Sequence, residues 1–99
     1  MVTSKYRSSN MIILSILEAI FRAEQGHYLT KKGIVKSHLL KSCKLKASTA
    51  EKYLTKMEQA GYIVSSKEPW GEREIIIYNL TEKGKERYRW FMQINAELE

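Results

Sequence analysis

The chain has 99 residues, room for one domain and not two. At 43% hydrophobic and 28% charged it has the composition of a soluble globular protein, which excludes a disordered or membrane-embedded chain. Its single cysteine cannot close an internal disulfide, which points to a reducing compartment. Seventeen lysines and arginines against eleven glutamates, with no aspartate, leave a net charge of +6, so a polyanionic partner is expected.

Residues 1–9 are polar and basic and predict a loose arm carrying Lys5 and Arg7. These cations precede the apolar run Met11–Leu17, which imitates a signal peptide. Glu18, Arg22 and Glu24 break the run, however, and it falls far short of the roughly 20 apolar residues of a membrane span. A cytoplasmic location without membrane contact is therefore expected. From Asn10 to about Gln25, Ile12, Ile13, Ile16, Leu17, Ile20 and Phe21 recur at helical spacing, with Ser9 or Asn10 as the starting cap and Gly26 as the stop. Met11 and Leu14 widen the apolar stripe beyond one face, so this helix is either central to the fold or shared between a core and an interface.

His27–Thr30 predicts a short strand, and Lys31–Ser42 a second helix with Val35, Leu39, Leu40 and Cys43 inward. After a tight connection at Lys44–Ala47, Ser48-Thr49-Ala50-Glu51 predicts a capping box, in which Ser48 and Glu51 cap each other's amides. The third helix then buries Ala50, Tyr53, Leu54 and Met57 and stops at Gly61. Beyond Gly61 the period changes. Tyr62–Lys67 and Arg73–Leu80 predict two strands around a five-residue loop at Glu68–Glu72. Thr81 caps a last helix, whose Tyr88, Phe91 and Leu98 lie in one seam with Gly84 and Asn95, flanked by Trp90 and Ile94.

The order helix, short strand, helix, tight turn, helix, hairpin, helix is that of a winged helix-turn-helix domain, and the residues match as well. Leu39-Leu40, Cys43, Leu45, Ser48-Thr49-Ala50, Met57 and Gly61-Tyr62-Ile63 resemble the MarR- and PadR-type consensus, with Cys43 and Met57 where leucine is usual. Tyr78-Asn79-Leu80-Thr81-Glu82-Lys83-Gly84 is similar to the segment that joins wing to final helix in these proteins. The chain also resembles the small archaeal winged-helix proteins, viral ones included. The resemblance implies an α+β, mostly helical fold: three N-terminal helices, a β-hairpin wing and a C-terminal dimerisation helix. Its expected divisions are the arm 1–9, the winged domain 10–80 and the dimerisation helix 81–99.

The charge is concentrated on one part of that fold. Between Lys31 and Lys56 stand eight lysines and one acid, Glu51, a net +7, whereas the remainder has nine basic and ten acidic residues, a net −1. A lysine-rich face is often merely solvated. Here it coincides with the helix pair that such a fold presents to duplex DNA, which favours binding. On the third helix Ser48, Lys52, Thr55 and Gln59 point outward, flanked by Thr49 and Lys56. Hydroxyls and lysines of this kind can meet base edges and phosphates in a major groove. Without an arginine on this helix, specificity is expected to be moderate or based on DNA shape. Lys36, Lys44 and Lys46 complete the basic set. In the hairpin, Lys67, Trp70 and Arg73 are candidates for a wing contact, although Trp70 equally fits a cover over its own strands, and Glu68, Glu72 and Glu74 weaken the tip as an anion binder.

Other motifs carry little. Asn79-Leu80-Thr81 is a glycosylation sequon by letter only, because Thr81 is needed as a cap. His27, His38 and Cys43 lack metal spacing. No nucleophile–base pair or glycine-rich phosphate loop is present, so neither enzymatic activity nor a cofactor is expected. No segment resembles a small-molecule-binding domain. The expected function is transcriptional regulation by a homodimer on double-stranded DNA, with Ile13, Ile16, Leu17, Tyr88, Phe91, Ile94 and Leu98 at the dimer interface. A protein–protein interaction module or a non-specific architectural DNA-binding protein on the same fold is the alternative.

Overall fold

A computed structural model describes residues 8–27 and 33–98. The arm with Lys5 and Arg7, most of the strand expected at 27–30, and the first two residues of the expected second helix lie outside the described residues. The elements are α1 (Ser9–Arg22) with a π-helical turn at Ala23–His27, β1 (Ile34–Val35), α2 (Lys36–Cys43), α3 (Ala47–Gln59), β2 (Ile63–Trp70), β3 (Arg73–Leu80) and α4 (Glu82–Leu98). The strands form one antiparallel sheet in the order β1-β3-β2. Among the described residues no helix is long and apolar enough to cross a membrane.

One core unites the elements. Ile12, Ile16, Leu17 and Ile20 of α1 meet Leu39 and Cys43 of α2, Ala50, Leu54 and Met57 of α3, and Ile63, Tyr78, Leu80 and Tyr88 from the sheet and α4. Ile16 and Leu17 are 0% exposed, so they are not the interface residues expected of them, and of the two readings of the wide stripe the helix takes the central one. Their surface is spent within the chain. The helix needs a wide stripe because α2, α3, α4 and β3 all pack around it.

The termini of α1 differ from expectation by a residue or more. Ser8, not Ser9 or Asn10, is the cap, its Oγ accepting the Met11 amide at 3.2 Å. At the other end α-helical bonding stops at Arg22, before Gly26. Within the following turn Glu24 accepts hydrogen bonds from the Asn79 side chain and the Leu80 amide, both at 3.0 Å. That carboxylate satisfies a β3 amide beyond the reach of β1.

The small strand is Ile34–Val35, within the stretch Lys31–Ser42 expected to be helix, with Val35 on its inward face. Its two β-branched residues pair with Tyr78 and Ile77. Gly33, at φ +131°, lets the backbone lie so close to the Tyr78 carbonyl that a Cβ there would collide with it. Helix α2 is consequently limited to Lys36–Cys43.

The hairpin is longer and its turn tighter than the sequence suggested. Strand pairing runs without interruption from Ile63↔Leu80 to Trp70↔Arg73, leaving only Gly71 and Glu72 as the turn. Gly71 has φ +64° and Glu72 does not share the positive sign, the pattern of a type II′ turn. Pro69 sits on an edge strand, where the absence of an N–H is tolerated. Proline here marks an edge and not a loop.

Helix α4 is locked to the rest at its first turn. Thr81 caps it by accepting the Gly84 amide at 3.0 Å, as expected, and donates its own amide to the Tyr62 carbonyl at 3.0 Å. Gly84 packs directly on that Tyr62 carbonyl. Its place in the helix seam therefore serves this contact within the chain. A methyl group at Gly84 would overlap backbone oxygen, which no rotamer change relieves. Gly84→Ala is expected to destabilise the domain by about 3 kcal/mol, overriding the better helix propensity of alanine; denaturant unfolding with an unchanged or raised midpoint would refute this close packing.

Candidate nucleic-acid interface

Helices α2 and α3 are joined by three residues. Lys44 adopts the left-handed conformation (φ 54°, ψ 47°), its amide bonds to the Lys41 carbonyl at 3.2 Å, and the Leu45 amide bonds to the Leu40 carbonyl at 3.0 Å. This is a Schellman motif with lysine in the position that favours glycine. The end of α3 repeats it with the usual residue: Gly61, at φ +83°, bonds to the Glu58 carbonyl at 3.0 Å, and Tyr62 to that of Met57 at 2.9 Å. The two turns share a bonding pattern and differ in the residue that carries it.

Helix α3 does not start with the expected capping box. Lys46 is its N-cap residue and makes no side-chain capping bond, and Ser48 lies inside the first turn. Glu51 faces α2 instead, where both its carboxylate oxygens accept from Lys36 Nζ at 2.6 and 2.9 Å. An ammonium group within that distance outcompetes the helix's own amides. Lys36 is thereby drawn into a bond between the two helices and is less available to an outside anion than the sequence suggested. Exposed Lys44 and Lys46 flank the N-terminus of α3. Cations there oppose the helix dipole and weaken the helix, but they add to the positive potential of the unpaired amides.

Ala50, Leu54 and Met57 anchor α3, and Ser48, Lys52, Thr55, Lys56 and Gln59 are all exposed, while Thr49 is half-buried. The helix period separates two flanks of this outward row. Thr49 and Lys56, seven residues apart, line one flank together with Tyr53, whose hydroxyl is hydrogen-bonded to that of Ser9 at 2.9 Å. Glu51 and Glu58 line the opposite flank, and Glu58 accepts from Ser65 Oγ on β2 at 3.0 Å. Burial, reinforced by the charges of Glu51 and Glu58, pushes the Tyr78 hydroxyl up to about 12, which agrees with this acidic flank facing the sheet.

In the hairpin, Lys67, Trp70 and Arg73 are exposed, Trp70 by 62%, so the indole does not cover its own strands. The structure groups Lys44, Lys46, Ser48, Lys52, Thr55 and Lys56 around one helix and leaves the hairpin residues on a separate projection. Sequence reasoning missed two contributors. Lys83 donates to the Ala60 carbonyl at 2.8 Å and lies over the Tyr62 ring, 5.4 Å from its centroid, fixing the C-terminal end of α3. Ser9 fixes its middle through Tyr53. Both are long-range contacts with no local signature. Among the described residues no three His, Cys or Glu side chains are grouped so as to hold a metal ion.

Lysine in the left-handed region costs the fold about 1 kcal/mol relative to glycine. Lys44→Gly is therefore expected to raise the stability of the domain by about 0.5–1 kcal/mol in denaturant unfolding while removing one cation beside α3. Destabilisation by this substitution would show that the lysine side chain, and not its backbone conformation, dominates at the turn.

A family model for a winged helix DNA-binding domain matches residues 26–98. No curated protein matches the chain. Among solved structures, the fold is similar to smu.1704 from Streptococcus mutans UA159, with a TM-score of 0.73 at 21% identity over 96% of this chain and 86% of that one. It is also similar to a protein from Ralstonia eutropha JMP134, with a TM-score of 0.66 at 20% identity over 85% of this chain and 98% of that one. Sso10a-2, a DNA-binding protein from Sulfolobus solfataricus, superposes with a TM-score of 0.62 at 22% identity over 93% of this chain and 85% of that one. These likenesses concern the fold; the family assignment rests on the match across most of the sequence. The chain belongs to the winged helix DNA-binding domain family.

Proposed function

We propose that the protein binds double-stranded DNA by laying α3 in the major groove, and that it acts as a homodimeric regulator of transcription. The observation that carries the reading is the net +7 between Lys31 and Lys56, with Lys44, Lys46, Lys52 and Lys56 exposed around one helix. Lys44 and Lys46 would meet phosphates at the groove edge. Ser48, Lys52 and Thr55 would face the bases, with Thr49 and Lys56 beside them. With eight lysines and no arginine in this stretch, the reading favours strong phosphate attraction with modest base discrimination.

The second half of α4 supports the dimer. Beyond buried Tyr88, the helix continues with Trp90, Ile94 and Leu98 at successive turns, beside half-buried Phe91. Trp90 is 57% exposed and Leu98 80%. Such a stripe, exposed on a helix about 25 Å long, has the character of an interface. Two copies of α4 packed about a two-fold axis would cover it, with Phe91, Ile94 and Leu98 as the chief contacts. The dimer would set two copies of α3 on successive turns of a duplex, about 34–36 Å apart, and so favour a palindromic site.

Two experiments test these statements. Lys52→Ala and Lys56→Ala are each expected to lower the slope of log affinity against log salt by about 0.9, the equivalent of one phosphate, on a duplex of any sequence. Lys85→Ala on α4, whose ammonium pairs with Glu82, should leave the slope unchanged; equal losses at Lys85 and Lys52 would place the docking face elsewhere. In sedimentation at micromolar concentration the protein is expected at twice its 11.6 kDa chain mass, and Ile94→Glu combined with Leu98→Glu should return it to one chain. A wild-type monomer with full DNA affinity would rule out the dimer.

A further inference from the structure

The hairpin has two unlike faces, and the aromatic at its tip belongs to one of them. Residues paired across β2 and β3 project to the same face, and successive pairs alternate. Pro69 with Glu74 and Lys67 with Ile76 fall on the face that continues into the core through Tyr78, Ile63 and Leu80. There Lys67 stands diagonally across from Glu74. The other face carries Trp70 with Arg73 at the tip and Glu68 with Ile75 behind them. Trp70 is 62% exposed, and Arg73 is exposed beside it. Neither side chain has a hydrogen-bond, ion-pair or ring partner among the described residues.

This group is a poor site for phosphate and a good one for a base. From Lys67 to Glu74 two cations stand against three glutamates, a net −1, so the hairpin gains little from the field of a polyanion. A nucleobase asks for something else. Its flat π system stacks on an indole, and a guanidinium plane beside the indole extends the platform. The Glu68 carboxylate repels phosphate but can accept from the amino group on a base edge. The platform is also held in advance. A turn of only Gly71 and Glu72 keeps Trp70 and Arg73 directly opposite each other, with Cβ atoms about 5 Å apart. A base within an intact duplex has both its π faces covered by its neighbours, and one that has lost its pairing partner can swing out to such a platform.

We propose that Trp70 and Arg73, with Glu68 at their edge, form a stacking site for an unpaired nucleobase, so that the protein favours DNA in which a base near the α3 site has left its pair. The proposal rests on α3 being the docking helix and adds a second contact that reads a defect in pairing. Its energy comes from stacking and not from charge, so the preference persists in salt that weakens the lysine contacts.

The test measures binding of the full chain to a fully paired duplex and to a set that differs from it only by one looped-out adenine, moved stepwise along the sequence. The best-placed bulge is expected to bind about tenfold more tightly than the paired duplex, as one stacked base would give. Trp70→Ala is expected to abolish that preference and Trp70→Phe to keep most of it, while Arg73→Ala should reduce it by about threefold. Lys52→Ala should weaken both duplexes by the same factor. All these side chains lie outside the core, and thermal unfolding of each variant verifies the fold. A wild type without the preference would overturn the site. So would a preference that survives Trp70→Ala, which would belong to the flexibility of bulged DNA, or an equal loss on both duplexes at Trp70, which would set the indole against the backbone. In each of these results a loss at Lys52 leaves α3 as the docking helix. If Lys52→Ala and Lys56→Ala are silent on both duplexes, the reading of α3 itself fails.

Discussion

The carbonyl of Tyr62 is the point on which the arrangement of the domain turns. It accepts the Thr81 amide, lies against Gly84, and belongs to the residue that closes the terminal turn of α3. Thr81 Oγ1 reaches the carbonyls of both Gly61 and Tyr62, and Lys83 takes that of Ala60. Three consecutive carbonyls at the end of the basic helix are thus claimed by the first turn of α4. A bond network of this density, with backbone in direct contact, leaves no slack between the two helices. A force applied to α4 is therefore passed directly to the C-terminal end of α3.

The elements were legible in the sequence wherever one physical signal dominated. The periodicity of α1 and α3, the glycine at the end of α3, and the Thr81 cap each follow from a local rule, and the structure shows all of them. Where two signals competed, the sequence misled. Pro69 and Gly71 together suggested a five-residue loop, although only the glycine was demanded by a turn. Ser48 and Glu51 had the spacing of a capping box, but Lys36, fifteen residues away, offered the carboxylate a stronger partner. Val35, Leu39, Leu40 and Cys43 had the spacing of one helix face, while Ile34 and Val35 had an open edge of β3 to pair with. In the last two cases a contact distant in sequence overrode a local preference.

The candidate site was legible as a composition and not as a geometry. Counting charges located the basic helix pair, and the helix period named its outward residues. Neither could show that the acids of α3 gather on one flank facing the sheet, or that Ser9 lies at Tyr53. The same is true of the interface. The breadth of the apolar stripe on α1 was real, yet its cause was a crowded core, since Ile16 and Leu17 are sealed inside. An apolar surplus on a helix can mean two neighbours within the chain as readily as one outside it.

The uninterrupted hairpin has a last consequence. Strand β2 presents eight residues along an edge with no strand beyond it among the described residues, and an edge of that length is a template on which another chain can add a strand and begin to aggregate. Pro69 offers no amide to such an intruder, and Lys67 carries an exposed charge on the same strand. Exposed Val64 marks the stretch of this edge with neither protection, next to the body of the domain. The proline that disguised the length of the strand in the sequence is thus one of the features that allow so long an edge to stand in water unpaired.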